Sequence, residues 1–371
     1  WDVASNVKIG GDLKEFSCPG CGSIVKKTDL KRIRNEPVRV NYSCLKCRRR
    51  EDDIRDHDFD IKKLEEIEER WIKKKLWYPD YPMMFKGEKW GVLWRSGYHK
   101  GITHVHHFFT LRNLWALSLL WSKINHKNYR ELNLLLIQVF LDIIKLASKL
   151  RRPTAGQPTH TLYVPSLQKE VNVSRTFENK VSHISKILRG LKSDNGKVIF
   201  SNQSATNLFH IPSNSIDYIF TDPPYGSNLI YSELNFLWEA WLGYFTNTKE
   251  EAIVNKTQGK GLKEYKELMA KAFNEMYRVL KPGRYLTMVF HNSQKAVWDV
   301  IQEGLREAGF EIVTVNVLDK KQRSFKAVTS EGAVGKDVVL NCRKPKKLIQ
   351  AFATNGVPEE TIETTFIAIQ E

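Results

Sequence analysis

The run Asp222-Pro223-Pro224-Tyr225 gathers a carboxylate, rigid carbonyls and an aromatic face into four residues. Neither proline has an amide hydrogen and each has a fixed φ, so the turn is stiff and presents bare acceptors. An exocyclic amine on a heterocycle has two hydrogens to donate and a lone pair delocalised into its ring. Two acceptors, the Asp222 carboxylate and the Pro223 carbonyl, pull such a nitrogen toward pyramidal geometry. The freed lone pair can then attack a sulfonium methyl in line. Tyr225 offers a face on which a base could stack once out of a duplex, an exit that costs about a few kcal/mol. The plain alternative is a strand-ending turn, for which Pro and Asp are common residues. The apolar run Ile216 to Thr221 before it and Gly226 after it weigh against that alternative.

Cysteine supplies a second site. Cys18-Pro19-Gly20-Cys21 and Cys44-Leu45-Lys46-Cys47 are two Cys-x-x-Cys knuckles, 22 residues apart. Tetrahedral zinc takes four thiolates, and each short knuckle turns two sulfurs toward one point. Gly20 and Gly22 give the backbone freedom such a knuckle needs. Two disulfides are the alternative. The start, Trp1-Asp2-Val3, has no charged stretch leading into an apolar one, and Cys342 stands alone. Both facts favour a reducing compartment, the cytoplasm, where this spacing means metal. Four thiolates close the coordination sphere, so such a zinc holds structure and does no catalysis.

Charge is concentrated around the second knuckle. Lys26 to Arg50 holds ten basic residues against Asp29 and Glu36, within a chain whose 58 Lys+Arg and 42 Asp+Glu leave it at +16. Such a balance points to a polyanionic partner. Lys26, Lys27, Lys31, Arg32, Arg34, Arg48, Arg49 and Arg50 are candidate phosphate contacts, which dominate nucleic-acid affinity. A solvated face is the other reading.

The elements that must carry these residues follow from apolar spacing. Asp56 to Leu76 predicts an amphipathic helix through Ile61, Leu64, Ile67, Trp71 and Leu76. Trp77 to Tyr98, aromatic-rich with Pro82, Gly87, Gly91 and Gly97, reads as irregular. His104, His106 and His107 bring no carboxylate at a recognisable metal spacing. Phe108 to Ile124 and Tyr129 to Leu150 predict two helices, the second closed by Arg151-Arg152-Pro153. Gln138, Asp142 and Lys145 interrupt its apolar run, which suits a buried helix better than a bilayer. From about residue 180 strands and helices alternate. The strands are Val198 to Phe200, Ile216 to Thr221, Tyr285 to Phe290, Phe310 to Leu318 and Asp337 to Asn341; the helices are Tyr265 to Leu280 and Ala296 to Ala308. This rhythm predicts an α/β fold with a largely parallel sheet flanked on both faces. Ligands in such sheets lie beyond the carboxyl ends of the strands, where Asp222 falls.

Here a resemblance becomes specific. Asp222-Pro223-Pro224-Tyr225 resembles the catalytic signature of the amino-methyltransferases. Met276-Tyr277-Arg278-Val279-Leu280-Lys281-Pro282-Gly283, followed by a strand, resembles the sheet core of the class I methyltransferase fold. Thr221 to Leu242, with Tyr231-Ser232-Glu233-Leu234 and Trp238, is similar to adenine-specific DNA methylases that contain a zinc ribbon. Phe109-Thr110-Leu111-Arg112-Asn113 resembles a further stretch of that family, and the likeness runs loosely from residue 15 to 345.

The resemblance implies an incomplete class I, Rossmann-like sheet with an N-terminal zinc ribbon and a helical insert. It implies a ribbon over 1–54, a mainly helical insert over 55–160 for target recognition or DNA contact, a catalytic region over 161–345 and a tail over 346–371. It also implies S-adenosyl-L-methionine as cofactor, with Ser204, Ala205 and Asp222 at its pocket and zinc on Cys18, Cys21, Cys44 and Cys47. One departure stands out. The family's Phe-x-Gly-x-Gly loop after a first strand is not found: Ile9-Gly10-Gly11 precedes a knuckle, and Gly332 and Gly335 come late. By the resemblance that loop belongs upstream of Trp1.

The function so implied is methyl transfer to the exocyclic amine of adenine in DNA, alone or beside a restriction or defence-system partner. Cytosine's amine fits the same acceptors. RNA guanine methylation uses a similar signature, but the ribbon and the lack of a recognisable RNA-binding domain count against it. A protein-glutamine substrate leaves +16 unexplained. A non-catalytic zinc-ribbon binder with a decayed enzyme half fits the missing loop but not the intact Asp222 run.

Overall fold

Tyr265, Met269, Ala272, Phe273, Met276 and Val279 recur at three- and four-residue spacing, and all six are buried along one face of a helix over Leu262–Val279. That helix opens where the Gly261 N–H donates to Glu264 Oε2 at 2.7 Å, and it ends as Leu280 turns extended. The computed structural model describes residues 15–18, 21–26, 37–46, 48–54, 58–73, 75–84, 90–124, 130–152, 161–165, 168–190, 197–227, 229–319 and 336–346. In chain order the elements are β1 (Glu15–Ser17), β2 (Ile24–Lys26), β3 (Arg39–Cys44), β4 (Arg48–Asp53), α1 (Asp58–Lys73), α2 (Ser96–His99), α3 (Leu111–Ile124), α4 (Arg130–Ala147), α5 (Val173–Gly190), β5 (Ile216–Thr221), α6 (Tyr231–Leu242), α7 (Leu262–Val279), β6 (Leu280–Phe290), α8 (Lys295–Glu307), β7 (Glu311–Asp319) and β8 (Lys336–Arg343).

Contacts divide the chain into two compact units, Trp1–Asn195 with Glu233–Phe245, and Gly196–Ser232 with Thr246–Glu371. The first holds two antiparallel hairpins, β1–β2 and β3–β4, and the helices α1 to α5. Its core includes Trp90, Leu117, Phe140, Ile143, Ile144 and Trp241, all fully buried. Helix α5 packs on α3 and α4, so the first unit runs on to residue 195, beyond the division expected at 160. Among the described residues, no helix is long and apolar enough to cross a membrane.

The second unit is an α/β unit around a four-stranded sheet of order β5-β6-β8-β7. β5 and β6 run parallel, with Tyr218 opposite Tyr285 and Thr221 opposite Met288. β8 is antiparallel to both β6 and β7. The largely parallel sheet expected from the strand–helix rhythm is therefore mixed. No described helix separates β7 from β8, and only a crossover element makes sequential strands parallel. Helices also cover one face rather than two among the described residues. Leu286, Met288, Phe290, Leu340 and Cys342 are buried with α7 and α8. On the opposite face Tyr218, Phe220 and Tyr285 are 54%, 64% and 43% exposed.

Gly304 lets α8 approach α7, because a Cβ there would lie 3.1 Å from the Phe273 ring. The expected strand Val198 to Phe200 does not form. Its residues are in coil and exposed, with Ile199 and Phe200 each at 91%. Apolar composition makes a strand only where a neighbour pairs with it, and here none does among the described residues.

Candidate active site

Asp222 follows β5, and His291 and Asn292 follow β6, so all three stand at the carboxyl ends of two paired parallel strands. Asp222 is exposed, Pro223 is buried, and Pro224 and Tyr225 are half-buried. Gly226 then takes φ +68°, a backbone region that side chains disfavour. The Pro224 carbonyl accepts from the Tyr265 hydroxyl of α7 at 2.6 Å, and the Tyr225 carbonyl accepts from Asn292 Nδ2 at 2.8 Å. Asn292, 2% exposed, is itself fixed. Its Oδ1 accepts from the Gln294 N–H at 2.7 Å and its carbonyl from the Trp298 indole at 2.9 Å. Two of the turn's carbonyls are thus tied off. Among the described residues the Pro223 carbonyl accepts no hydrogen bond.

Asp222 meets one partner among the described residues, the Tyr225 hydroxyl, which donates to Oδ1. Burial, reinforced by that bond and by the Asp222 charge, raises the Tyr225 phenol well above its ordinary range, so the hydroxyl stays a donor. The Tyr225 ring meets Phe290 edge-on at 5.5 Å and His291 at 6.0 Å. His291 Nδ1 lies 2.9 Å from Oδ1 of the buried Asp337 on β8. Burial first, then Asp222 and Glu251, also raises Tyr231. The sequence alone assigns Tyr225 an aromatic face; the structure adds that it orients the carboxylate. What remains unpaired among the described residues is one carboxylate oxygen and one carbonyl from adjacent residues, two hydrogen-bond acceptors.

Ser204 and Ala205 lie in a turn that the second unit anchors to α7. The Leu208 N–H donates to Glu275 Oε2 at 2.7 Å, and Arg278 donates to the Leu208 and Ile211 carbonyls. Arg278 and the Leu208 amide hold the Glu275 carboxyl down to about 2. Ser204 Oγ pairs with Thr206 Oγ1 at 2.8 Å, and no hydrogen bond joins Ser204 or Ala205 to Asp222 among the described residues.

Three of the four knuckle cysteines are described, each at the edge of a hairpin. Cys18 and Cys21 lie between β1 and β2, closed by Gly22 N–H to Cys18 carbonyl at 2.8 Å, and Cys44 ends β3. The residue after each second cysteine has a left-handed backbone, Gly22 at φ +72° and Arg48 at φ +64°. Cys47 lies outside the described residues. Among the described residues no group of three or more His, Cys, Asp or Glu is disposed to hold a metal. The Cys21 thiol is lowered by the Ser23 hydroxyl first, then by the Ser23 backbone and Cys18. Of the basic candidates, Lys26 ends β2 and Arg48, Arg49 and Arg50 begin β4, while Lys27, Lys31, Arg32 and Arg34 lie outside the described residues.

Several polar contacts could not be read from the sequence. Asn292 and Tyr265, which fix the turn, carry no motif of their own. Asp80 is the carboxylate that the histidine cluster lacked, 2.9 Å from His106 Nδ1. Glu233, 1% exposed, accepts from the Val92 N–H at 2.9 Å and the Leu93 N–H at 2.7 Å. Each is a pairing between distant stretches that local pattern does not encode.

Residues 216–367, under half of the chain, match a family model described as DNA methylase, of the N6/N4 kind. No curated protein matches the chain significantly. A Thermus thermophilus protein described as a putative DNA modification methylase is 16% identical at TM-score 0.24, over 43% of this chain and 61% of that one. Its complex with S-adenosyl-L-methionine gives 18% and 0.23, over 43% and 62%. A SAM-dependent methyltransferase from Methanosarcina mazei is 15% identical at TM-score 0.26, over 46% and 79%. The chain thus spans about three fifths of the Thermus protein's length.

Proposed function

We propose that this chain is part of an S-adenosyl-L-methionine-dependent DNA methyltransferase that methylates the exocyclic amine of adenine. One observation carries the reading. At the carboxyl end of a parallel strand, a buried tyrosine and a buried asparagine tie off the Pro224 and Tyr225 carbonyls, leaving Asp222 and the Pro223 carbonyl as acceptors. The match of residues 216–367 to DNA methylase supports it. Cytosine N4 presents the same two hydrogens, and the acceptors do not distinguish it.

When bound, the cofactor supplies an electrophilic methyl on sulfur. Of the residues assigned to it, Asp222 fits the methyl-accepting side, whereas the described residues offer no glycine-rich cradle for the adenosyl group. The protein's own part is positional. Asp222 and the Pro223 carbonyl accept the two amine hydrogens, fix the nitrogen's direction and localise its lone pair. The Tyr225 hydroxyl sets the carboxylate's rotation, and its ring offers a stacking surface. The proton lost after transfer passes first to the Asp222 carboxylate. Nucleoside analysis of DNA after reaction tests this: N6-methyladenine supports the reading, N4-methylcytosine moves it to the other amine, and methylation on ring carbon overturns it.

Structural zinc on Cys18, Cys21, Cys44 and Cys47 is the second part of the proposal. Two hairpins whose second cysteines are each followed by a left-handed residue suit thiolate ligation. Elemental analysis of protein purified without chelator should give one zinc per chain. DNA is the proposed polyanion for the basic hairpins. Reversing Arg48, Arg49 and Arg50 to Glu should weaken binding to all sequences and flatten its salt dependence.

A further inference from the structure

Three tryptophans of the first unit surround an open cleft of about 440 Å³, within the range of roughly 300–1,000 Å³ usual for ligand sites. Trp77 lies in coil after α1, Trp121 lies on α3, and Trp241 lies near the end of α6. Their rings stand 5.8 to 6.2 Å apart, Trp77 stacked on Trp121 and edge-on to Trp241. Trp77 is 49% exposed, so the aromatic wall is open to solvent on that side.

Two of the lining residues each carry a polar atom that is left over. Ser118 Oγ and Trp241 Nε1 are buried in residues each 1% exposed, and neither finds a hydrogen-bond partner among the described residues. Ser122, one turn along α3 in the same lining, instead satisfies its hydroxyl on the Leu119 carbonyl at 2.8 Å. Buried polar groups are nearly always paired, so two unpaired ones in one cleft call for an explanation. An indole N–H only donates, and a serine hydroxyl donates or accepts. Their complement is a flat ring with an acceptor on its edge, which an aliphatic or phenyl side chain does not offer. Lys123 follows the lining residue Ser122 in sequence, in a chain of net charge +16.

We infer that this cleft binds one unstacked nucleobase of a DNA strand, held by the tryptophan wall and by the Trp241 indole and Ser118 hydroxyl. It is a base site in addition to the one at Asp222, and it rests on the reading of the protein as DNA-acting.

The test uses the full chain and single-stranded oligonucleotides carrying one 2-aminopurine, whose fluorescence is quenched on stacking. Wild type should bind with quenching. Trp77→Ala should lose the quench and about 5- to 150-fold in affinity. The salt slope should not change, because no phosphate contact is removed. Trp77→Phe should recover part of the loss. Ser118→Ala should weaken binding several-fold while the melting temperature holds or rises, since it removes a polar atom that has no protein partner. A serine that merely supports the fold would lower the melting temperature instead. Equal binding by wild type, Trp77→Ala and Ser118→Ala would overturn the assignment and leave the methyltransferase reading standing. Free 2-aminopurine riboside binding as tightly as the oligonucleotide would overturn it in favour of a small-molecule pocket. Wild type that binds no oligonucleotide at any salt concentration would remove the DNA reading beneath it.

Discussion

Asp222 ends its strand in the open, one oxygen held by Tyr225 and the other without a partner among the described residues. Glu233, a little further along, is 1% exposed and gives both oxygens to the amides of Val92 and Leu93. Gly91 belongs to the same arrangement, since a Cβ there would lie 2.5 Å from the Glu233 carboxyl carbon. Two acids from one stretch of chain therefore divide the labour. A carboxylate whose acceptor capacity is consumed by backbone is architecture, and one with capacity to spare at a strand's end is available for chemistry. Residue type alone does not separate them, and Glu233 falls in the very run that the resemblance to DNA methylases highlighted.

The contrast can be broken by crossed substitutions. Asp222→Ala should lower methyl transfer about 100- to 1000-fold in a form of the protein that binds cofactor, roughly 3–4 kcal/mol concentrated in the transition state. Its melting temperature should barely move, as exposed substitutions stay within about 0.5 kcal/mol. Glu233→Ala should do the reverse to stability, at roughly 1–3 kcal/mol for each amide left without an acceptor. Denaturant unfolding and methyl incorporation on both variants decide it; a large stability loss in Asp222→Ala would erase the distinction. Gly91→Ala sharpens the same point. Overpacking against the Glu233 carboxylate should cost about 1–3 kcal/mol of stability. Unchanged unfolding would mean that the segment yields easily.

Smaller effects separate the two roles of Tyr225. Tyr225→Ala loses both the stacking face and the hydrogen bond to Asp222, and should cost about 1–3 kcal/mol in substrate capture. Tyr225→Phe keeps the face and should be milder, its loss appearing in kcat more than in KM because only the orientation of Asp222 changes.

The smallest expected effect is one of pH. Burial, and then His107, pushes His106 down to about 4, against an ordinary value of about 6.5. His104 and Lys149 act in the same direction and Asp80 opposes them. The folded form disfavours the proton. The neutral imidazole's contribution is therefore complete above about pH 6.5 and is lost as pH falls from there toward 4. Wild type should lose more melting temperature between pH 7 and pH 5 than His106→Gln does; equal losses would show that this cluster does not sense the proton.

Much of the second unit was legible because its pattern is local. The stripe from Met269 to Val279 predicted the α7 face, and the apolar run from Ile216 placed Asp222 at a strand end. What failed depended on partners. Val198 to Phe200 has strand composition and no neighbour, and β8 runs antiparallel because of how the chain returns, not because of its own residues. α5 went unread although its pattern is local: Val173, Phe177, Val181 and Ile184 recur at helical spacing and are buried or half-buried, while Glu178, His183 and Lys186 are exposed. Within the site, the acid and the prolines were visible, whereas Tyr265 and Asn292 became relevant only through hydrogen bonds to a distant turn.

The hydroxyl of Tyr265 on the Pro224 carbonyl has a consequence for motion. Tyr265 is fully buried on α7, so the turn cannot swing away without disturbing that helix's first turn in the core. Segments tied in this way open with the cooperative unit that holds them rather than as independent loops. A substrate amine then meets acceptors already in position, and the movement needed for encounter falls to the nucleic acid.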